Sequence, residues 1–401
     1  MSDIRFEIIK KIADIQFRYK SLDNVSELES TSPPSVFVGS QVKEGIVNVG
    51  ILSPLEKDNE AWIYDSPKYW ASTGLGIKEV IHLRKGLLNS RFKSKITDPR
   101  KENKFLKLSQ ELALSSKPVD VEIKLKNKIN PDMKKDKILA PQGMFAQIEN
   151  VKITSNTKID PAIDKAINDD IKASESITEL YNKNYNEYFL SQILSIGSLG
   201  LKKDKKLVPT RWAITATDDI ISKKLIEKIR NYKEIENYEL FFGEYMGNAY
   251  LILLFPRVFS FELFELYLPG SSWNPSNETK AATDYEGYEG RKNYAENTGG
   301  GYYATRLPIT EYLEKIKRQA SVLVIRIELP SYWAALGVWV VRESVRKALE
   351  TKKLSFNEMR EMFENAKKIS MIKFGFDPEK VFKKSKIIEN IKTQTSLGKW
   401  V

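Results

Sequence analysis

The stretch TATDDIIS sets two carboxylates side by side, Asp218 and Asp219, with Arg211 a few residues upstream. Neighbouring carboxylates at the mouth of a sheet could hold a divalent ion, and an arginine beside them could clamp a phosphate. The same residues have a plainer use. One aspartate can cap a helix while the other complements its dipole, and Arg211 can pair with a local acid. A second cluster lies at 284–308, DYEGYEGRKNYAENTGGGYYATRLP, with five tyrosines, five glycines, Arg291, Lys292 and Arg306. Tyrosines such as Tyr294 can stack on bases, and arginines can sit on phosphates. Gly299, Gly300 and Gly301 could turn backbone N–H groups toward an anion. Their spacing matches neither the Walker nor the dinucleotide-binding pattern. If this chemistry exists, Asp218, Asp219 and Arg306 are its catalytic candidates. Arg211, Arg291, Lys292, Tyr294 and Gly299–Gly301 are then its nucleotide or phosphate contacts.

A third feature is apolar. Gln394, Leu397, Trp400 and Val401 follow the spacing glutamine, two residues, aliphatic, two residues, aromatic, apolar. This is the spacing of peptides that bind a DNA sliding clamp. One turn of 3₁₀ helix brings Leu397 and Trp400 to one side, where they can fill an apolar pocket. Such peptides usually end on two aromatics, and Val401 departs from that. His82, the single histidine, could act as a base but reads equally well as a packed or surface residue.

Composition narrows the chemistry. With no cysteine there are no disulfides, no thiolate zinc site and no cysteine nucleophile, and with one histidine there is no histidine-rich metal centre. Any metal would be carboxylate-held, which favours magnesium or manganese. No apolar run is long enough to span a bilayer, so no membrane association is expected, and a cytoplasmic location is. The net charge of +11 is concentrated. Between Arg84 and Lys137, 16 lysines and arginines face 7 acids, a net of +9. A local field of that sign suits a polyanion such as DNA, with Lys124, Lys126 and Lys128 as candidate contacts, or is simply a solvated lysine-rich surface.

These residues need elements to hold them. The pattern predicts a mixed-sheet α/β protein, as one large body or two lobes with a flexible C-terminal tail. Residues 1–30 read as a helical lead-in and 31–200 as an N-terminal lobe containing the basic segment 84–138. Residues 201–369 read as an α/β core lobe, and 370–401 as the tail that carries the clamp peptide. SVFVG and GIVNVGIL read as strands joined by a turn, KPVDVEIKL as a half-buried strand, and 160–195 as helical. RWAITA reads as a strand that hands over to a helix capped at Thr217 or Asp218. YELFFGEYMGNAYLILLFP is a hairpin turning at Gly247 and Asn248, followed by strands in RVFSFELFELYLP and SVLVIRIEL. Residues 284–308 read as a loop, and 309–320, 336–350 and 355–368 as helices.

Several segments together resemble the archaeal Nre family of DNA repair proteins. They include TSPPSVFVGS, LALSSKPVDVE, LVPTRWAITATDDIIS, GRKNYAENTGGGYYATRLP, KRQASVLVIRIELPSYWAALGVWVVRESVR and the final QTSLGKWV. The resemblance runs from about residue 30 onward. It implies a role in DNA damage repair and recruitment to the archaeal sliding clamp, PCNA, through Gln394, Leu397, Trp400 and Val401. Many relatives begin with a cysteine-rich zinc module, which has no counterpart here. Two roles fit: a repair factor with metal-dependent phosphodiester or nucleotide chemistry, or a non-catalytic DNA-binding adaptor. A small-nucleotide-binding enzyme using the glycine–tyrosine segment is a third.

Overall fold

The computed structural model describes Lys11 and residues 25–101, 103–129 and 143–393. The chain divides into two compact units, residues 9–221 and residues 222–401 together with 1–8. Both are mixed α/β, each built on one six-stranded mixed sheet.

The first unit's sheet has the order β1-β5-β6-β4-β3-β2. Its strands are β1 Glu27–Ser32, β2 Ser35–Val38, β3 Ile46–Ser53, β4 Leu88–Lys95, β5 Val119–Leu125 and β6 Phe145–Ile153. Neighbours are antiparallel except β4 and β6, which run parallel. Alternation decides the faces. In β5, Val119, Val121, Ile123 and Leu125 are buried while Glu122 and Lys124 are exposed. The buried face packs with Leu106 and Leu112 of a helix in one core. Residues 27–30, expected at the end of a helical lead-in, belong to β1, which is paired throughout with β5. Helices α1 Pro67–Ser72, α2 Ile77–Lys85, α3 Lys104–Leu114, α4 Pro161–Asn168, α5 Ala173–Asn182 and α6 Glu187–Ser195 surround the sheet in chain order.

Helix α7, Thr210–Ile229, carries the chain from this unit into the next. The expected strand RWAITA is therefore helical. Pro209 starts it, its carbonyl accepting from the Trp212 and Ala213 amides. The buried positions Ala213, Thr217, Ile221, Leu225 and Ile229 recur every four residues, a helical stripe that outweighs the β-propensity of Trp, Ile and Thr.

The second sheet has the order β10-β9-β11-β8-β7-β12. Its strands are β7 Tyr238–Tyr245, β8 Asn248–Phe255, β9 Ser260–Tyr267, β10 Lys280–Glu286, β11 Ser321–Glu328 and β12 Leu354–Phe356. Only β9 and β11 pair in parallel. The β7–β8 turn is Met246–Gly247, both at positive φ, one residue earlier than the expected Gly247–Asn248, so Asn248 already belongs to β8. All eight residues of β8 and of β11 are buried, because helices cover both faces. On one face Leu251, Leu253, Phe255, Leu323, Ile325 and Ile327 meet α10 Met359–Phe374, α11 Glu379–Phe382 and α12 Lys386–Thr393. On the other lie α8 Gly300–Ile316 and α9 Val338–Glu350. There Gly243 lets α9 approach β7, since a Cβ would sit 2.8 Å from the Ala348 Cα.

Residues 370–393, expected to lie in a flexible tail, are largely helical, and residues 394–401 lie outside the described residues. The chain is helical in α11 and α12, and Val381, Phe382, Ile387 and Ile388 are buried in the sheet core.

Candidate functional site

Residues 284–308 bring together several charged and aromatic side chains of the second unit. They are not one loop. Residues up to Glu286 complete edge strand β10, which pairs with β9, and Gly300 opens α8. Arg306 on α8 is buried and pairs with Glu286, its Nη1 donating to both carboxylate oxygens at 2.9 and 3.1 Å. Arg291 pairs with buried Asp284 at 3.1 Å and donates to the carbonyls of Tyr285, Asn293 and Tyr294. The other Asp284 oxygen accepts from the Thr298 amide and hydroxyl. Both expected phosphate clamps are thus engaged by carboxylates of their own unit, and Lys292 is exposed. Tyr302 lies between them, with Arg291 and Arg306 over its ring at 5.2 and 5.5 Å. Its hydroxyl is buried with no hydrogen-bond partner among the described residues. Burial, followed by the Glu286 charge, pushes that phenol well above its ordinary pKa.

The glycines have steric roles. Gly299 caps α8 at φ 54°, ψ −131°, a conformation closed to residues with a Cβ. A Cβ on Gly301 would fall well inside contact of the Glu265 carboxylate on β9. Glu265 is itself held by Arg326 of β11 and the Tyr267 hydroxyl, both at 2.6 Å. Arg326 also donates to Asn248 at 2.6 and 3.0 Å and to Glu328 at 3.1 Å. Burial is the largest single influence on Arg326 and lowers its pKa, but the raising interactions with Glu265, Tyr250, Glu328 and Tyr267 together outweigh it, and the guanidinium ends well above its usual value. Burial raises the Glu328 carboxyl. Sequence reasoning passed over this network. Its signal was there: charges at Glu265, Arg326 and Glu328 inside strands otherwise apolar enough to be buried.

Asp218 and Asp219 do not sit at a strand end. They lie inside α7, Asp218 fully buried and Asp219 partly so. Consecutive helical residues point about 100° apart and do not face one ion together. Among the described residues no group of three histidines or acids could hold a metal. Arg211 and Trp212 are exposed on the first turn, Trp212 by 56%. His82 is exposed on α2. Lys124, Lys126 and Lys128 are exposed, but Lys124 stands opposite Glu27 in register and 3.8 Å from Glu149. That sheet face is of mixed charge rather than basic. Residues 102 and 130–138 of the basic segment lie outside the described residues.

Clamp candidates Gln394, Leu397, Trp400 and Val401 also lie outside the described residues. What precedes them is anchored. Glu262 of β9, buried, accepts from the Ser385 hydroxyl at 2.5 Å and from the Lys386 and Ile387 amides at 3.0 and 3.2 Å. A carboxylate from the sheet thereby caps α12, whose last residue, Thr393, directly precedes Gln394. Asn390 adds a bond to the Tyr285 hydroxyl.

Comparison with known proteins adds the family. A model described as Archaeal Nre, N-terminal, matches residues 2–274, and one described as Archaeal Nre, C-terminal, matches residues 286–400. The chain belongs to the archaeal Nre family. It is 41% identical over 339 residues to the DNA repair protein NreA of Archaeoglobus fulgidus, covering 84% of each chain. It is 36% identical to NreA of Haloferax volcanii, over 86% of this chain and 83% of that one. NreB of A. fulgidus is 33% identical over 87% of each. No solved structure matches. The first Nre model ends after β9 and the second begins at Glu286, the last residue of β10, so the gap between them falls inside one sheet and does not coincide with the boundary between the compact units. Among the described residues no helix is long and apolar enough to cross a membrane.

Proposed function

We propose that this Nre chain is a DNA repair factor that binds nucleic acid and is recruited to the archaeal sliding clamp through residues 394–401, working as a non-catalytic adaptor. The observation that carries the repair role is similarity over most of the chain to relatives named DNA repair proteins. Clamp recruitment rests on the spacing of Gln394, Leu397, Trp400 and Val401. The adaptor reading is supported by where the catalytic candidates lie. Arg306 and Arg291 are held by Glu286 and Asp284, and Asp218 is buried within a helix. A phosphate clamp works best with its cation directed at the substrate, and a cation already neutralised by a buried carboxylate has less to offer developing charge.

Calorimetry of the full chain against the clamp of the same organism tests the recruitment. Burying Leu397 and Trp400 contributes roughly 1.5–3 kcal/mol each, less the cost of ordering the peptide. A micromolar affinity, about −8 kcal/mol, is expected. Deleting residues 394–401, or changing Leu397 and Trp400 to alanine together, is expected to abolish the heat of binding without lowering the melting temperature. Equal binding by the truncated chain would mark the peptide as a chance match. Cleavage of DNA or nucleotides by the purified chain with magnesium or manganese, lost in Arg306→Ala, would instead favour the enzyme.

A further inference from the structure

We propose that the loop between Glu286 and Gly300 is a stacking site for single-stranded DNA, with Tyr294 as its main base platform. The inference rests on the nucleic-acid-binding reading above and gives that reading a location and a strand preference.

The argument begins with how Tyr294 is held. It is 51% exposed, yet its ring lies nearly parallel to that of Tyr303, 5.3 Å between centroids and 26° between planes. Tyr303 is buried, and its hydroxyl accepts the Ala295 amide at 3.0 Å. Tyr303 meets Tyr302 edge-on at 5.4 Å, and Tyr302 meets Phe261 of β9 edge-on at 5.1 Å. Four linked rings thus run from exposed Tyr294 to Phe261 of the sheet. A tyrosine laid flat on a fixed aromatic support, half in solvent, is prepared to receive one more planar ring.

The backbone around it is equally fixed. The Arg291 guanidinium donates to the carbonyls on both sides of the loop, Tyr285 at 3.0 Å and Tyr294 at 3.0 Å, and is anchored by Asp284. Little ordering cost then remains at binding. A second tyrosine, Tyr288, is 42% exposed, with the Arg230 guanidinium 4.8 Å from its ring centroid and hydrogen-bonded to its carbonyl. Exposed Lys292 lies between the two tyrosines in sequence and offers a phosphate contact.

Charge decides which form of DNA fits. The loop also exposes Glu289 and Glu296, so its field is close to neutral and grips a phosphate backbone weakly. A duplex, whose bases are stacked inside and whose contact is mainly through phosphates, gains little here. A single strand offers open base faces, and stacking tolerates any base. The site therefore favours single strands, with a shallow salt dependence, a slope of about −0.7 for one released counterion.

Fluorescence anisotropy of the full chain tests this with a labelled oligothymidylate of about 15 nucleotides and a duplex of equal length, at several salt concentrations. Tyr294→Ala is expected to weaken single-strand binding roughly tenfold, Tyr294→Phe to retain it, and duplex binding to stay unchanged. Melting temperature and clamp binding, measured in parallel, should not move in either variant. If Tyr294→Ala binds single strands as well as the parent, or Tyr294→Phe loses as much as Tyr294→Ala, the stacking site is wrong while DNA binding by the chain stands. If the parent binds neither form of DNA, the nucleic-acid reading falls with it, and clamp binding alone would leave a protein-docking role.

Discussion

Arg306 and Glu286 are each about 1% exposed, and neither has water to turn to if the other is lost. Glu286→Ala is expected to destabilise the second unit by about 3–5 kcal/mol, because it leaves a buried guanidinium without its counter-charge. A urea denaturation series reads this directly, and a change below about 1 kcal/mol would mean that solvent reaches Arg306. Gly301 makes a related point through shape. Glu265 cannot swing away from an added Cβ while Arg326 and Tyr267 hold it. Gly301→Ala should therefore cost about 1–3 kcal/mol through overpacking, although alanine is the better helix former. If the variant proves more stable than the parent, the α8–β9 approach is looser than the structure has it.

At the scale of elements, α12 is governed by Glu262. Burial raises this carboxyl above its ordinary range, and the Ser385 hydroxyl and two backbone amides oppose the shift without cancelling it. A raised carboxyl binds its proton more tightly in the folded state than in the unfolded one. Its contribution to stability is then fully present below the unfolded value of 4.5 and is lost as pH rises through the folded value. Urea midpoints across pH 4 to 8 should show the parent losing stability relative to Glu262→Gln as pH rises from about 4.5. A difference independent of pH would mean that Glu262 keeps an ordinary pKa. The same docking fixes the helix that ends at Thr393, directly before Gln394. Residues 394–401 follow a helix fastened to β9, and if they recruit the clamp as proposed, the clamp is held near the second unit rather than at the end of a tether of some thirty residues.

On the scale of the whole molecule, the two Nre family models divide the chain where the fold does not. Strand β11 pairs with β9 and β8, both of which precede residue 274. A fragment of residues 286–401 would expose all eight buried residues of β11 and should show no cooperative thermal transition by circular dichroism. Residues 210–401 keep the full six-stranded sheet and should melt cooperatively. Cooperative melting of the shorter fragment would show that the family boundary is also a folding boundary.

Local pattern determined much of this protein. The apolar runs of β8, β9 and β11 can only be buried strands at their length, and alternation in β5 assigns its faces. Family membership was legible as short strings of residues, because such strings act through side chains close together in the chain. Pairing across the chain was not legible. Glu286 and Arg306 are twenty residues apart, and Glu265 and Arg326 are sixty-one apart; nothing at either position names its partner. The same holds for Glu262, which reads as a solvated charge until α12 arrives at residue 386. A phosphate clamp and a buried ion pair look alike in one dimension. Only the register of β9, β10 and β11 under α8 decided that Arg291 and Arg306 meet acids, and only the turn around Arg291 left Tyr294 facing solvent.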